Sequence, residues 1–139
     1  MAITCLEDQL RRDEKVVLKP YKDSVGKLTI GIGRNLDDVG ISNAEASVLL
    51  ANDIAAAEAN LEREFPWTIG LDPVRKGALL NMTFNMGIGG LAEFRDFLAK
   101  MQAGNYSAAA GAMLDSLWAR QVGPRAQRLA IQIESGTWQ

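Results

Sequence analysis

A capping box at Ser42-Asn43-Ala44-Glu45 opens a helical run that no proline interrupts before Pro66, and this constrains the chain more than any other feature. The serine hydroxyl and the glutamate three residues on can each satisfy a backbone N–H that the first helical turn leaves free. Ala46, Leu49, Asp53, Ala57 and Leu61 then follow a helical, mostly apolar spacing up to about Glu64. At about 1.5 Å per residue this run spans about 34 Å, longer than a small lobe needs. A helix of that length is suited to joining two lobes.

The pattern differs on either side of it. Residues 4–14 read as a helix, with Thr4 as cap, Glu7 at capping-box distance, and Leu6 and Leu10 on one face. Residues 16–33 read as a small antiparallel sheet. Val16-Val17-Leu18 is β-branched and apolar, and Pro20 excludes a helix interior. Asp23-Ser24-Val25-Gly26 is a turn, and the glycines weaken or bulge the strand Leu28–Gly33. Asp37-Asp38-Val39-Gly40 is a second turn. Beyond Pro66, Asp72 caps a helix with Pro73 in its first turn, ended by Gly87, Gly89 and Gly90. Shorter helices follow over 91–102, 105–114 and 115–121, and a last one runs from about Pro124 to before Gly136. The class is α+β. The expected layout is a small sheet-containing N-terminal lobe, the long helix, and a helical C-terminal lobe.

Composition narrows the chemistry. With 139 residues, 47% apolar and 23% charged, the chain suits one folded domain rather than a disordered segment. There is no histidine and one cysteine. Ser-His-Asp and Cys-His arrangements are therefore impossible, a zinc site has too few ligands, and no cofactor or metal is expected. Carboxylates become the leading candidates for proton transfer. A net charge of −2 argues against nucleic acid as a partner. No apolar run is long enough for a membrane span, and Glu7 and Asp8 fall where a signal peptide needs its apolar stretch. Gly31 and Gly33 do not make a nucleotide loop, because Leu36 occupies the third glycine position. Cys5, Met82, Phe84, Met86, Trp118 and Trp138 read as core.

Glu14 sits where the first helix ends and the sheet begins. The negative end of the helix dipole there, with burial, would suit a general acid. Asp23 begins a turn and Thr29 lies on the next strand, so a helix end, a turn and a strand converge on two carboxyls and a hydroxyl. Glycoside hydrolysis needs an acid for the leaving oxygen, a second carboxylate and a place for water. Each residue alone has an ordinary surface reading, so this pattern by itself leaves the assignment open.

Arg12-Asp13-Glu14, Tyr21-Lys22-Asp23, Gly26 and Thr29-Ile30-Gly31-Ile32-Gly33 resemble the lysozymes of T-even and related tailed phages. That family's signature is Glu, eight residues, Asp or Cys, five residues, Thr, and Glu14, Asp23 and Thr29 match both gaps. Asn81–Gly87 resembles the family's core helix, and Pro124–Arg128 with Gly136-Thr137-Trp138 its closing segment. The resemblance implies a two-lobed lysozyme fold as a single domain over 1–139. About 15–64 would form the N-terminal lobe and connecting helix, with 1–14 plus 65–139 the helical lobe, and a cleft between the lobes. It implies inverting hydrolysis of the β-1,4 bond between N-acetylmuramic acid and N-acetylglucosamine. Glu14 would be the acid, Asp23 the second carboxylate, and Thr29 would help place the water. Arg125 matches the arginine that pairs with the acid, and Arg128 the one near Asp13; Asn81 is assigned to support. Asn85 falls at a substrate-lining position, and Gly31 and Leu36 are further candidate substrate contacts.

Two departures stand out. Arg34 replaces the histidine of many members, whose partner is an acid at the position of Asp53, so an Arg34–Asp53 pair is expected. The loop between Arg34 and Ser42 is much shorter than in the T-even enzymes. The rivals are a lytic transglycosylase, against which Asp23 and Thr29 argue, and a non-catalytic wall-binding or tail module, against which the intact Glu14, Asp23 and Thr29 set argues. The expected setting is a monomeric phage endolysin that acts on peptidoglycan glycan strands without stable membrane insertion. It would be held in the host cytoplasm until a holin-type lesion admits it to the periplasmic wall.

Overall fold

The computed structural model describes residues 2–139 and shows an α+β chain, with seven α-helices and one three-stranded antiparallel sheet among the described residues. The chain divides into two compact units, one ending at Leu50 and one from Ala51 to Gln139.

The first unit begins with α1 (Leu6–Glu14). Cys5 is its N-cap and is exposed, not the core residue expected. Thr4 lies one residue further out, and both its N–H and its hydroxyl donate to Asp8, at 2.9 and 2.8 Å. Asp8 therefore takes the role expected of Glu7. Leu6 and Leu10 do share a face, but it is an exposed one. The sheet follows as β1 (Val17–Lys22), β2 (Leu28–Gly31) and β3 (Arg34–Asn35), in that order. Val17 pairs with Gly31 and Tyr21 with Thr29, so β1 carries two residues more than β2 between these rungs. Pro20, which has no N–H to give the ladder, lies inside this bulge.

The division between units falls within α2 (Asn43–Glu64). Its capping box forms as the sequence specifies: Glu45 N–H donates to Ser42 Oγ at 3.1 Å and Ser42 N–H to Glu45 Oε1 at 2.9 Å. Arg34 pairs with an acid of this helix, but the acid is Glu45, two turns before Asp53. Both guanidinium nitrogens reach Glu45 at 2.7 Å, and one also donates to Gly40 O at 3.0 Å. The short 35–41 loop brings the Gly40 carbonyl to the Arg34 guanidinium and the Ser42 N–H to the Glu45 carboxylate, which decides the partner. The Arg34 guanidinium, followed by the Ser42 N–H, lowers the Glu45 carboxyl from an ordinary 4.5 to about 2. A depressed acid stabilises the fold above its unfolded value, and the effect disappears as pH falls towards the folded one. The stability lost in Glu45→Gln should therefore be fully present at pH 6 and shrink between pH 4.5 and 2. Thermal unfolding of both proteins across that range checks it, and a difference independent of pH would refute it.

The second unit contains the core. A 3₁₀ turn (Pro66–Gly70) leads into α3 (Pro73–Ala92), capped as expected by Asp72, which accepts from Arg75 N–H at 3.0 Å. Gly87, at φ 77° and ψ 164°, breaks α3, and the helix resumes to Ala92. The next helix, α4 (Arg95–Gln102), therefore starts later than residue 91. Helices α5 (Tyr106–Leu114), α6 (Leu117–Val122) and α7 (Pro124–Ser135) complete the unit. Leu61, Leu79, Met82, Phe97, Met113 and Ile133 meet in its fully buried centre. Truncating one of these to alanine would cost about 2–5 kcal/mol. Lys76, mostly buried, ties α3 to Glu58 and Glu62 of α2. Trp138 is 65% exposed, correcting its core reading; its ring covers the bare backbone of Gly77. No helix among the described residues is long and apolar enough to cross a membrane.

Candidate active site

In the first unit, Glu14 is the last residue of α1. Its side chain is exposed, so the burial expected to suit an acid is not present there. The backbone immediately after it is strained. Lys15 adopts φ 65° and ψ 164°, and is the only non-glycine among the described residues with positive φ. That region is essentially restricted to glycine, and such strain concentrates at functional positions. Lys15→Gly should stabilise the protein by about 1 kcal/mol, since relief of about 1–3 kcal/mol outweighs the extra freedom of an unfolded glycine. Thermal unfolding checks this; an unchanged or lowered midpoint would contradict the strain.

Asp23 is held in a tight turn between β1 and β2. Its Oδ1 accepts from the N–H groups of Val25 at 3.0 Å and Lys27 at 2.9 Å. Its own N–H donates to Lys27 O at 2.9 Å. The same carbonyl accepts the Thr29 hydroxyl at 3.0 Å. Thr29 is 4% exposed and is the only fully buried side chain among the described residues of the first unit. The turn is braced from outside: Asp37 accepts from Leu28 N–H at 2.7 Å, and Asp38 pairs with Lys27 at 3.1 Å.

Asp23 Oδ1 is engaged by backbone, which leaves Oδ2 for chemistry. The Thr29 hydrogen is engaged by Lys27 O, so its oxygen can only accept further bonds. A water beside both would donate one hydrogen to each and keep a lone pair for attack.

Asp13 takes Arg12 as its partner, Nε to Oδ1 at 2.7 Å, and that guanidinium holds its carboxyl below the usual range. Gly31 and Leu36 line a mostly apolar basin of about 870 Å³ with Val16, Ile30 and Leu49, which Arg11, Arg34 and Glu45 also line.

In the second unit, Arg125 donates from Nε to Asn81 Oδ1 at 2.9 Å and from a terminal nitrogen to Asn81 O at 3.2 Å. Arg125, Arg128 and Asn81 line a polar basin of about 340 Å³ with Gln132 and Gln139. Asn85 accepts from Trp118 Nε1 at 2.7 Å, which fixes its amide with the NH₂ free to donate. Trp118 is half-buried and stacks edge-on against Phe94.

Sequence reasoning missed a groove of about 370 Å³ between α2 and α3, lined by Asp53, Asn60, Phe84 and Gly87. Phe84 is 46% exposed there, correcting its core reading, while Met82 is fully buried and Met86 packs against the core. The signal was available in the helical phase. Ala78, Leu79, Met82 and Thr83 are the buried face of α3, and a residue two positions after Met82 points away from it. Among the described residues no cluster of His, Cys, Asp and Glu could hold a metal ion.

A helix-end glutamate, a turn-bound aspartate and a buried threonine all lie in the first unit of this α+β chain. The phage lysozyme family matches residues 11–132, and the chain belongs to that family. Probable T4-type lysozyme 1 of Dictyostelium discoideum is 29% identical over 97% of this chain and 96% of its own length. The pre-baseplate central spike protein Gp5 of Enterobacteria phage T4 is 32% identical over 94% of this chain, which spans 28% of that protein. The SAR-endolysin of Escherichia phage Mu is 31% identical over 69% of this chain and 56% of its own length. The chain is a lysozyme-type glycoside hydrolase.

Proposed function

We propose that the chain hydrolyses the β-1,4 bond between N-acetylmuramic acid and N-acetylglucosamine in peptidoglycan, with inversion. Glu14 protonates the leaving oxygen. Asp23 Oδ2 accepts a proton from water, and Thr29 Oγ accepts that water's second hydrogen. The supporting observation is the shared use of Lys27 O and N–H, which orients Asp23 and makes Thr29 an acceptor. A single-displacement inverting reaction requires a positioned water, and acceptors at both its hydrogens aim the oxygen lone pair at the anomeric carbon. The free amide of Asn85 suits a sugar hydroxyl or acetamido oxygen. Gly31 and Leu36 remain candidate contacts, with Arg125, Arg128, Asn81 and Asp13 as support. The enzyme needs no cofactor and acts as a monomer.

The test is digestion of purified Gram-negative peptidoglycan, with products read by mass spectrometry and the first-formed anomer by NMR. Reducing muramic ends of inverted configuration are expected. A 1,6-anhydro end would replace this reading with a lytic transglycosylase, and wall binding without soluble fragments would replace it with a binding module.

Its biological task, on this reading, is host lysis: the enzyme waits in the cytoplasm and reaches the wall through a holin-type lesion. The similarity to a baseplate spike protein favours a second setting, a lysozyme carried on the virion. Immunodetection separates them. Signal in the lysate and none in purified particles supports the first, and signal in particles the second.

A further inference from the structure

We infer that Gly33 is a positioning residue for Glu14, its missing side chain being the space in which the catalytic carboxyl lies. This rests on the reading of Glu14 as proton donor. Gly33 occupies the turn between β2 and β3 at φ +72°. A Cβ built on it would stand 2.8 Å from Glu14 Oε2, 3.1 Å from Cδ and 3.3 Å from Cγ. All three contacts fall on one side chain and the tightest is to its carboxylate oxygen, so the carboxyl must shift to admit a Cβ. Neighbouring glycines at similar φ differ: Gly26 and Gly31 have nothing within 4 Å of that point. Positive φ therefore accounts for glycine at those two positions. At Gly33 there is a second requirement, imposed by the acid itself. The strained Lys15 backbone follows Glu14 directly, and the bare Gly33 backbone leaves the room its side chain occupies. An acid that must reach one leaving oxygen loses rate steeply when displaced by about 1 Å.

The experiment compares Gly33→Ala, Gly33→Asn and Gly104→Ala with wild type, and repeats Gly33→Asn in a Glu14→Gln background. Gly104 sits at φ +77° with nothing within 4 Å, so its alanine variant carries the backbone strain without the collision. Asparagine tolerates positive φ, so Gly33→Asn keeps the Cβ with little strain and carries the test if Gly33→Ala does not fold. On soluble glycan fragments, both Gly33 variants should lose about 10²-fold in kcat with KM within about twofold. Gly104→Ala should keep both constants. In the Glu14→Gln background, Gly33→Asn should cost nothing further, because the group it displaces no longer acts. Wild-type kcat in Gly33→Asn, or an equal loss in both backgrounds, overturns the positioning role. Full activity in Glu14→Gln alone overturns the reading beneath it, which the same data set distinguishes.

Discussion

Glu14→Gln is expected to lower the rate of peptidoglycan cleavage by about 10³-fold or more, within or beyond the range usual for a positioned general acid. Stability should change by no more than about 0.5 kcal/mol, as for other surface substitutions. Both halves follow from the site. Within its own unit, no hydrogen bond or ion pair among the described residues engages the Glu14 carboxylate, so glutamine of the same shape breaks no polar contact there and still fits beside Gly33. What glutamine cannot do is give a proton to the leaving oxygen. That interaction exists only in the transition state, so kcat should fall while KM holds. Muropeptide release and thermal unfolding read the two halves separately. A variant that cleaves at the wild-type rate would remove Glu14 from the mechanism. A variant that unfolds would show that the carboxylate is structural.

Features of the fold that depend on adjacent residues were legible in the sequence. Ser42 and Glu45 cap α2 reciprocally, Asp72 caps α3, and Gly87 breaks it, because each acts within one helical turn. The β1–β2 hairpin was legible for the same reason, since β-branched residues beside Pro20 and a turn at Asp23 leave few alternatives, but β3 at Arg34–Asn35 lies beyond the expected 16–33. At α1 the ambiguity was a single residue. Glu7 and Asp8 are both acidic, and placing the N-cap at Cys5 gives the reach-back position to Asp8.

Features that depend on distant groups were not legible. Glu45 and Asp53 lie on one helix about 12 Å apart, and only the path of the 35–41 loop decides which meets Arg34. Exposure was misread wherever residue type was trusted over phase, as at Phe84 and Cys5. In the first unit the apolar pattern over-predicted burial: Leu6, Leu10 and Leu49 are exposed. The candidate residues could be named from the sequence, because the Glu–Asp–Thr spacing is linear. Its working detail was not, since nothing in the sequence indicates that Lys27 serves both Asp23 and Thr29 through its backbone.

That detail makes Asp23 the residue where mechanism and fold can be separated. Asp23→Asn and Asp23→Ala should lose cleavage alike, by about 10²–10⁴-fold, because neither can take a proton from water. Their stabilities should differ. Asparagine retains an Oδ1 for the N–H groups of Val25 and Lys27, so the turn should persist with a loss of less than about 1 kcal/mol. Alanine leaves both donors to find water, and the carbonyl of Lys27 loses the frame that orients Thr29. Its cost should reach about 2 kcal/mol. A wild-type rate in Asp23→Asn would mean that the side chain anchors the turn and another group serves as base. Equal stability of the two variants would mean that the Oδ1 bonds do not hold the turn, and that Thr29 is oriented by its burial alone. The expected pattern, equal in rate and unequal in stability, would assign one oxygen of Asp23 to the fold and the other to the reaction.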